Sequence, residues 1–381
     1  GGRSFIHTLP GGSRIQVRAE AGQEEFKIVL ARERDGAFPG WAQGSWVLYR
    51  AMEDGALLRI RYFPRSDRNT YVQFRPFDSG KSQLDVMLYD AYIARSVPVP
   101  LAFERLLTVP VEEALRLAGA LFPRRYFDPR PDDYREVWRF ASAVREALPE
   151  LNFRDDGAID EEGRYVFIND GSLQEGTPGL NCSGFAKWLV DGLLRPVTGK
   201  LLPIDALKAA FGERGSSFTD AYERARDPFF GLDWTRNLAS QANAALRSPV
   251  FGELREIEVQ EARFASVVAR SREGAVIRSY PGFLSQAGFG AEGLQPLLYT
   301  LAVDEPGRIY LASVNTELAP RPLMRQHFHV AALVPFFDER GDFKVLVFES
   351  AEETSFARFN SRYPGHYINL VRIPVTAPWS F

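Results

Sequence analysis

Apolar and polar positions alternate in short runs over the first hundred residues, and turn residues separate the runs. Because side chains two apart share one face of a strand, this alternation is typical of half-buried β-strands. A spacing of roughly ten residues between runs predicts an antiparallel sandwich or barrel. The clearest runs are Phe26–Leu30, Ser45–Tyr49, Leu57–Tyr62 and Tyr71–Phe74.

The period of the pattern changes after this region. Val97–Pro100 is the predicted exit from the β domain, and helical spacing follows in Val111–Gly119 and Tyr134–Leu148. We therefore predict a boundary near residue 108. Residues 1–108 would form a β-sandwich-like module, and residues 109–381 a second domain.

The second domain starts with helical patterns and ends with strand patterns. Phe185–Leu194 is one helix-like run stopped by Pro196, and residues 203–247 are helical in pieces. Blocks of helices followed by blocks of strands segregate in the fold, which predicts an α+β domain. The expected strands are Glu256–Val259, Arg308–Val314, His327–Val334, Phe343–Phe348 and Tyr367–Ile373.

Composition narrows the class of protein. Hydrophobic residues at 45% and charged residues at 25% of 381 are ordinary globular values. The net charge of −3 comes without a run of one sign, which argues against nucleic-acid binding. A single cysteine excludes an internal disulfide and a cysteine-cluster metal site. We expect no cofactor, no metal and no integral membrane segment. No signal-peptide pattern precedes Ser4. The sequence does not indicate an oligomeric state.

The single cysteine lies where a glycine-broken segment becomes an apolar, helix-like run. Residues 179–185 read GLNCSGF, so Cys182 would stand at a helix N-terminus. Unpaired amides and the helix dipole favour a thiolate there, and the Cys182 amide could donate to an oxyanion. The alternative is that Cys182 is a small core residue, because free cysteine is among the most buried residue types.

A base and an orienting group are available further along the chain. If residues 327–334 form a strand, alternation places His327 and His329 on one face, and either is a candidate base. Glu349 ends the following strand, which an antiparallel hairpin returns to the region of His329. Glu349 would then orient the imidazole, unless it is a solvated residue at a strand end.

The motifs NCSGF, at a helix start, and HVAALV, on a later strand, resemble those of the NlpC-type cell-wall peptidases within the papain-like group. The resemblance implies a papain-like fold with Cys182 as nucleophile, His329 as base and Glu349 as the third polar residue. It covers two short motifs within residues 160–375. Family members often use an upstream tyrosine at the oxyanion, for which Tyr165 is the nearest analogue, and Asn181 and Ser183 flank the nucleophile.

Three departures distinguish this chain from the family. Asn181 replaces the usual Asp, Glu349 replaces the more common His, and 147 positions separate Cys182 from His329. The long separation predicts an insertion over about residues 196–310 that would form a lid or a substrate wall. Asp233, Trp234 and the segment Tyr280–Phe283 are its candidate contributors; the alternative for them is ordinary turn and core packing.

The resulting hypothesis is a cysteine peptidase or amidase. By resemblance its substrate would be a peptidoglycan stem peptide, its location periplasmic or secreted, and its N-terminal module a targeting or wall-binding domain. Two alternatives use the same residues: a catalytically inactive papain-like protein that binds glycan or protein, and a thiol acyltransferase.

Overall fold

The computed structural model of the protein describes residues 4–212, 231–262, 269–270, 276–278, 282–318, 327–376 and 378–381. The chain divides into two compact units. The first contains the described residues up to Asp128 and a short hairpin of β11 (Ala269–Arg270) and β12 (Val276–Arg278). The second contains the described residues from Pro129 to Ala262 and from 282 onward. The division therefore follows Asp128 rather than residue 108.

The first unit is built on one antiparallel sheet of eight strands, in which each strand pairs with its neighbours along the chain. The sheet is antiparallel as predicted, but the strands of residues 4–99 belong to one sheet instead of the two sheets of a sandwich. The strands are β1 (Ser4–Thr8), β2 (Arg14–Ala21), β3 (Glu25–Arg32), β4 (Trp46–Ala51), β5 (Leu57–Tyr62), β6 (Tyr71–Asp78), β7 (Lys81–Leu88) and β8 (Ala91–Val99).

A helical segment completes the core of the first unit. Apolar residues of the central strands, such as Ile60 and Phe74, pack with Leu106, with Leu115 of α1 (Val111–Leu117) and with Phe122. Residues just beyond 108 thus bury their apolar side chains against the sheet. Because burial of apolar surface drives this packing, they belong to the first unit.

The second unit contains an antiparallel sheet of six strands in the order β13-β18-β14-β15-β16-β17. Four predicted strands are found in it. Its strands are β13 (Phe289–Gly290), β14 (Arg308–Leu318), β15 (His327–Phe337), β16 (Phe343–Glu349), β17 (Glu352–Ser355) and β18 (His366–Pro374). A separate hairpin joins β9 (Gly157–Ile159) and β10 (Tyr165–Phe167).

Helices accompany this sheet, so the unit is α+β as predicted. Two of them, α3 and α5, supply buried residues to the same core as β14, β15 and β18. The helices are α2 (Arg135–Ala147), α3 (Cys182–Thr198), α4 (Ile204–Lys208), α5 (Leu232–Leu246), α6 (Leu254–Ile257), α7 (Leu294–Asp304) and α8 (Phe356–Arg362).

The structure corrects three sequence predictions in this unit. Residues 254–257 form α6 instead of a strand, and only Glu258 makes a β-bridge, to Val371. Helix α3 continues through Pro196, because the Gly192 carbonyl, which Pro196 cannot bond, accepts the Ser380 amide at 2.9 Å. The predicted insertion is not a separate lid over residues 232–246, since α5 lies in the core.

Within the described ranges, no helix combines the length and the apolar character needed to cross a bilayer.

Candidate active site

The N-terminus of α3 places Cys182 as the first residue of a 17-residue helix. The Asn181 side chain caps the helix by accepting the Gly184 amide at 2.8 Å. A side chain on Gly184 would collide with the Gly157 carbonyl, so glycine is required where α3 meets β9. No acceptor for the Cys182 amide is found in the described part of the chain. The thiol is thus held at the end of a helix with a free backbone donor beside it.

A bulge in β15 gives the two histidines different environments. Val314 pairs with His329 and Asn315 pairs with His327, so Phe328 is an extra residue in β15. This breaks the predicted alternation: His327 is 1% exposed, whereas His329 is only partly buried. Of the two candidate bases, His329 is the one whose pKa is raised by its interaction with Cys182.

Glu349 lies against His329, as the hairpin predicts. Phe348 pairs with Ala332, which places the next residue, Glu349, diagonally across from His329. The His329 Nε2–H donates to Glu349 Oε2 at 2.7 Å, since an ionised carboxylate can only accept. This bond leaves Nδ1 as the ring nitrogen for the thiol. The three predicted side chains, Cys182, His329 and Glu349, therefore form one row, in which a hydrogen bond joins His329 to Glu349.

The charges in this row favour a protonated imidazole. Burial lowers the pKa of His329, but hydrogen bonds and negative charges from Cys182 and Glu349 outweigh it and raise the pKa to about 9. A histidine with this pKa is positively charged at neutral pH. The row thus places a positively charged imidazole beside Cys182.

Arg362, at the end of α8, is a partner of Glu349 that the sequence did not indicate. Its Nη2 hydrogen-bonds Glu349 Oε1, so both carboxylate oxygens are engaged. Burial raises the pKa of Glu349, but the bonds to His329 and Arg362 dominate and lower it. Arg362 therefore acts on the row by fixing the orientation and the charge of Glu349.

Tyr363 and His366 also lie beside the row. The Tyr363 ring is 6.1 Å from the His329 ring and 5.7 Å from the His366 ring. His366 begins β18, and its Nδ1–H donates to the Asn315 carbonyl at 2.7 Å. The sequence signal for this group is the Pro-Gly pair after Tyr363, which marks a turn but does not reveal its neighbours.

The weaker predicted site residues have mainly structural contacts. Trp234 is 1% exposed and donates its Nε1–H to the Ser183 carbonyl at 3.0 Å, so it supports α3 from the core. Ser183 is itself fully buried. Asp233 accepts the Phe211 amide at 3.1 Å. These contacts correct the prediction that Asp233 and Trp234 form a substrate wall.

None of the contacts described for the Tyr165 phenol involves Cys182. It packs partly buried on β10, and burial, with the negative charge of Glu150, raises its pKa. Its proposed oxyanion role therefore has no support from the structure. Of the segment 280–283, Tyr280 and Pro281 lie outside the described residues, and Phe283 packs 5.5 Å from Phe289.

Metal-ligand residues are not clustered in the described ranges: no three His, Cys, Asp or Glu side chains are grouped as a metal site.

Comparison with known families identifies one domain. A domain of unknown function, DUF8515, matches residues 2–126, which is less than half of the chain and lies within the first compact unit. The search of curated proteins and of solved structures found no match.

Proposed function

We propose that the protein is a cysteine hydrolase that cleaves an amide bond by acyl transfer, with Cys182 as nucleophile, His329 as base and Glu349 as the orienting group. The observation that carries the proposal is that Cys182, at the N-terminus of α3, influences His329, which is hydrogen-bonded in turn to Glu349. A nucleophile, a base within reach and a third group that orients the base are the parts that covalent catalysis requires.

The chemistry follows from the positions of these groups. His329 takes the thiol proton, and the Cys182 sulfur attacks the carbonyl carbon, so that an S–C bond forms and the carbonyl π electrons move to oxygen. The Cys182 amide stabilises this oxyanion. When the oxyanion collapses, the C–N bond breaks and the amine leaves with the proton from His329. Water, activated by His329, then releases the acyl group and the thiol.

A papain-like, NlpC-type domain is the fold assignment that we propose for the second unit. It is supported by a cysteine at a helix start, an antiparallel sheet in the same core, and a base and its partner on the adjacent strands β15 and β16. The substrate, a peptidoglycan stem peptide, and an extracytoplasmic location rest on the motif resemblance. A targeting role of the first unit also rests on this motif resemblance.

Alkylation with iodoacetamide at pH 7 tests the proposal, because Cys182 is the only thiol. A free cysteine is only a few per cent thiolate at this pH. We expect wild-type Cys182 to be alkylated about tenfold faster than in His329→Ala and His329→Asn, since the imidazolium stabilises the thiolate. Intact-mass spectrometry measures the rate.

His7→Ala provides the matched control, because His7 lies exposed on β1 of the other unit; its rate should equal the wild-type rate. Equal, slow alkylation of wild type and both His329 variants would reject the nucleophile and favour the inactive binding protein. With an acylating substrate, transfer to an added amine instead of to water would identify an acyltransferase.

A further inference from the structure

Tyr363, the residue directly after α8, lies beside the candidate site and is not one of the three predicted residues. Tyr363 is 8% exposed, and its ring lies 6.1 Å from the His329 ring at an interplanar angle of 32°. The ring also packs edge-on against Phe359, 5.1 Å away, which is fully buried. The phenol is therefore next to the base and has little freedom to move.

Backbone contacts on both sides hold Tyr363 in place. Ser355 caps α8 by accepting the Arg358 amide at 3.2 Å. After Tyr363 the chain turns through Gly365, whose φ of 76° is in the left-handed region that favours glycine. The Gly365 amide donates to Glu292 Oε1 at 2.7 Å. Tyr363 therefore lies between a capped helix and a turn that is held by a hydrogen bond.

No hydrogen bond of the Tyr363 hydroxyl is found among the described residues. A tyrosine O–H can donate one hydrogen bond, so this donor is available to a ligand. Burial raises the pKa of Tyr363; the charge of Arg362 opposes this, and the negative charges of Glu349 and Cys182 add to the rise. The phenol therefore keeps its proton at neutral pH and can donate it in a hydrogen bond.

We propose that Tyr363 is a further catalytic residue, and that its hydroxyl donates the second hydrogen bond, with the Cys182 amide, to the oxyanion formed at the substrate carbonyl. This deepens the proposed function and rests on it. It assigns the role of oxyanion donor to Tyr363, between α8 and β18, instead of to Tyr165 on β10. Tetrahedral intermediates of acyl transfer are stabilised by two or more such donors.

Two reactions of the same thiol separate this role from that of His329. Acylation by p-nitrophenyl acetate forms an S–C bond, moves the carbonyl π electrons to oxygen, and then expels p-nitrophenolate. Alkylation by iodoacetamide forms an S–C bond while iodide leaves, and no oxyanion appears. A donor to the oxyanion therefore affects only acylation, whereas a group that acts on the thiolate affects both.

The test compares wild type, Tyr363→Phe and Tyr165→Phe in both reactions. Phenylalanine keeps the ring packing against Phe359 and His329, and near-ultraviolet circular dichroism checks the fold. We expect Tyr363→Phe to lower the acylation rate on the order of 10²-fold, the cost of one lost oxyanion donor. Its alkylation rate should remain within twofold of wild type. Tyr165→Phe should match wild type in both reactions.

Three outcomes would overturn the proposal: unchanged acylation of Tyr363→Phe, an equal fall in both of its rates, or a loss of acylation in Tyr165→Phe instead. An equal fall would mean that the phenol acts on the thiolate or on His329. Slow alkylation of wild type together with no acylation would instead reject the proposed function itself.

Discussion

At the scale of single residues, two opposing effects set the charge of His329. Burial disfavours the imidazolium, whereas the hydrogen bonds and charges of Cys182 and Glu349 favour it. The favourable effects dominate, because one ring nitrogen faces Glu349 at 2.7 Å and the other is left for Cys182. Arg362 engages the second oxygen of Glu349 and helps to keep the carboxylate ionised.

The substitution Glu349→Gln should lower the pKa of His329 from about 9. The neutral amide keeps the shape of the side chain but removes the negative charge that favours the imidazolium. Titration of the four histidine rings by NMR measures the midpoint, and His329→Asn assigns the His329 signal.

Glu352→Gln is the matched control, because Glu352 is exposed on β17 directly across from Glu349. It should leave the His329 midpoint unchanged. A midpoint that stays near 9 in Glu349→Gln would mean that Glu349 does not set the charge of the ring.

At the scale of elements, a helix cap and two close contacts at glycines fix the position of α3 and of the Cys182 thiol. The Asn181 cap begins the helix, and Gly184 permits close contact with β9. Gly192 leaves room for the Trp379 ring, whose Nε1–H donates to the Leu189 carbonyl at 2.9 Å. The contacts at Gly184 and Gly192 join α3 to distant parts of the chain, so the position of Cys182 depends on the whole unit.

Removal of the cap in Asn181→Ala should lower the free energy of unfolding by about 1 kcal/mol, because the Gly184 amide loses its acceptor. Asn181→Ser retains an oxygen that can cap the helix and should lose much less. Urea denaturation followed by circular dichroism compares the variants. Equal stability of Asn181→Ala and wild type would contradict the role of the cap.

At the scale of the whole molecule, the chain has two units, each with a core of its own. Phe74 belongs to the core of the first unit and Leu238 to that of the second, and both are fully buried. The extent of the family match, residues 2–126, agrees with the first unit. Separate cores are the usual basis for separate unfolding transitions.

Calorimetry should therefore resolve two transitions, each sensitive to its own core. Leu238→Ala should destabilise only the second unit, by about 2–5 kcal/mol, because it leaves a cavity among buried residues of α5. Phe74→Ala should lower only the other transition, by about 3–5 kcal/mol. A single transition shifted by both substitutions would contradict the prediction.

The sequence located eight of the described strands, because an alternating pattern is kept when a strand packs on one face of a sheet. These strands are β3, β4, β5, β6, β14, β15, β16 and β18. The sequence prediction failed where long-range contacts override a local signal. Pro196 lies within α3 since Ser380 replaces the missing donor, and α5 enters the core although its sequence indicated an insertion. The sequence also did not predict the bulge at Phe328, because the bulge depends on the pairing of β15 with β14.

By itself, the sequence determined the class of each domain, the placement of Cys182 at a helix start, and the candidate partners His329 and Glu349. These follow from periodicity, capping and the two-residue repeat of strands, which are local properties of the chain. Only the tertiary structure decided between His327 and His329 and added Arg362 and Tyr363 to the site. The reason is that contacts between residues far apart in sequence depend on the register of β15 and on the end of α8.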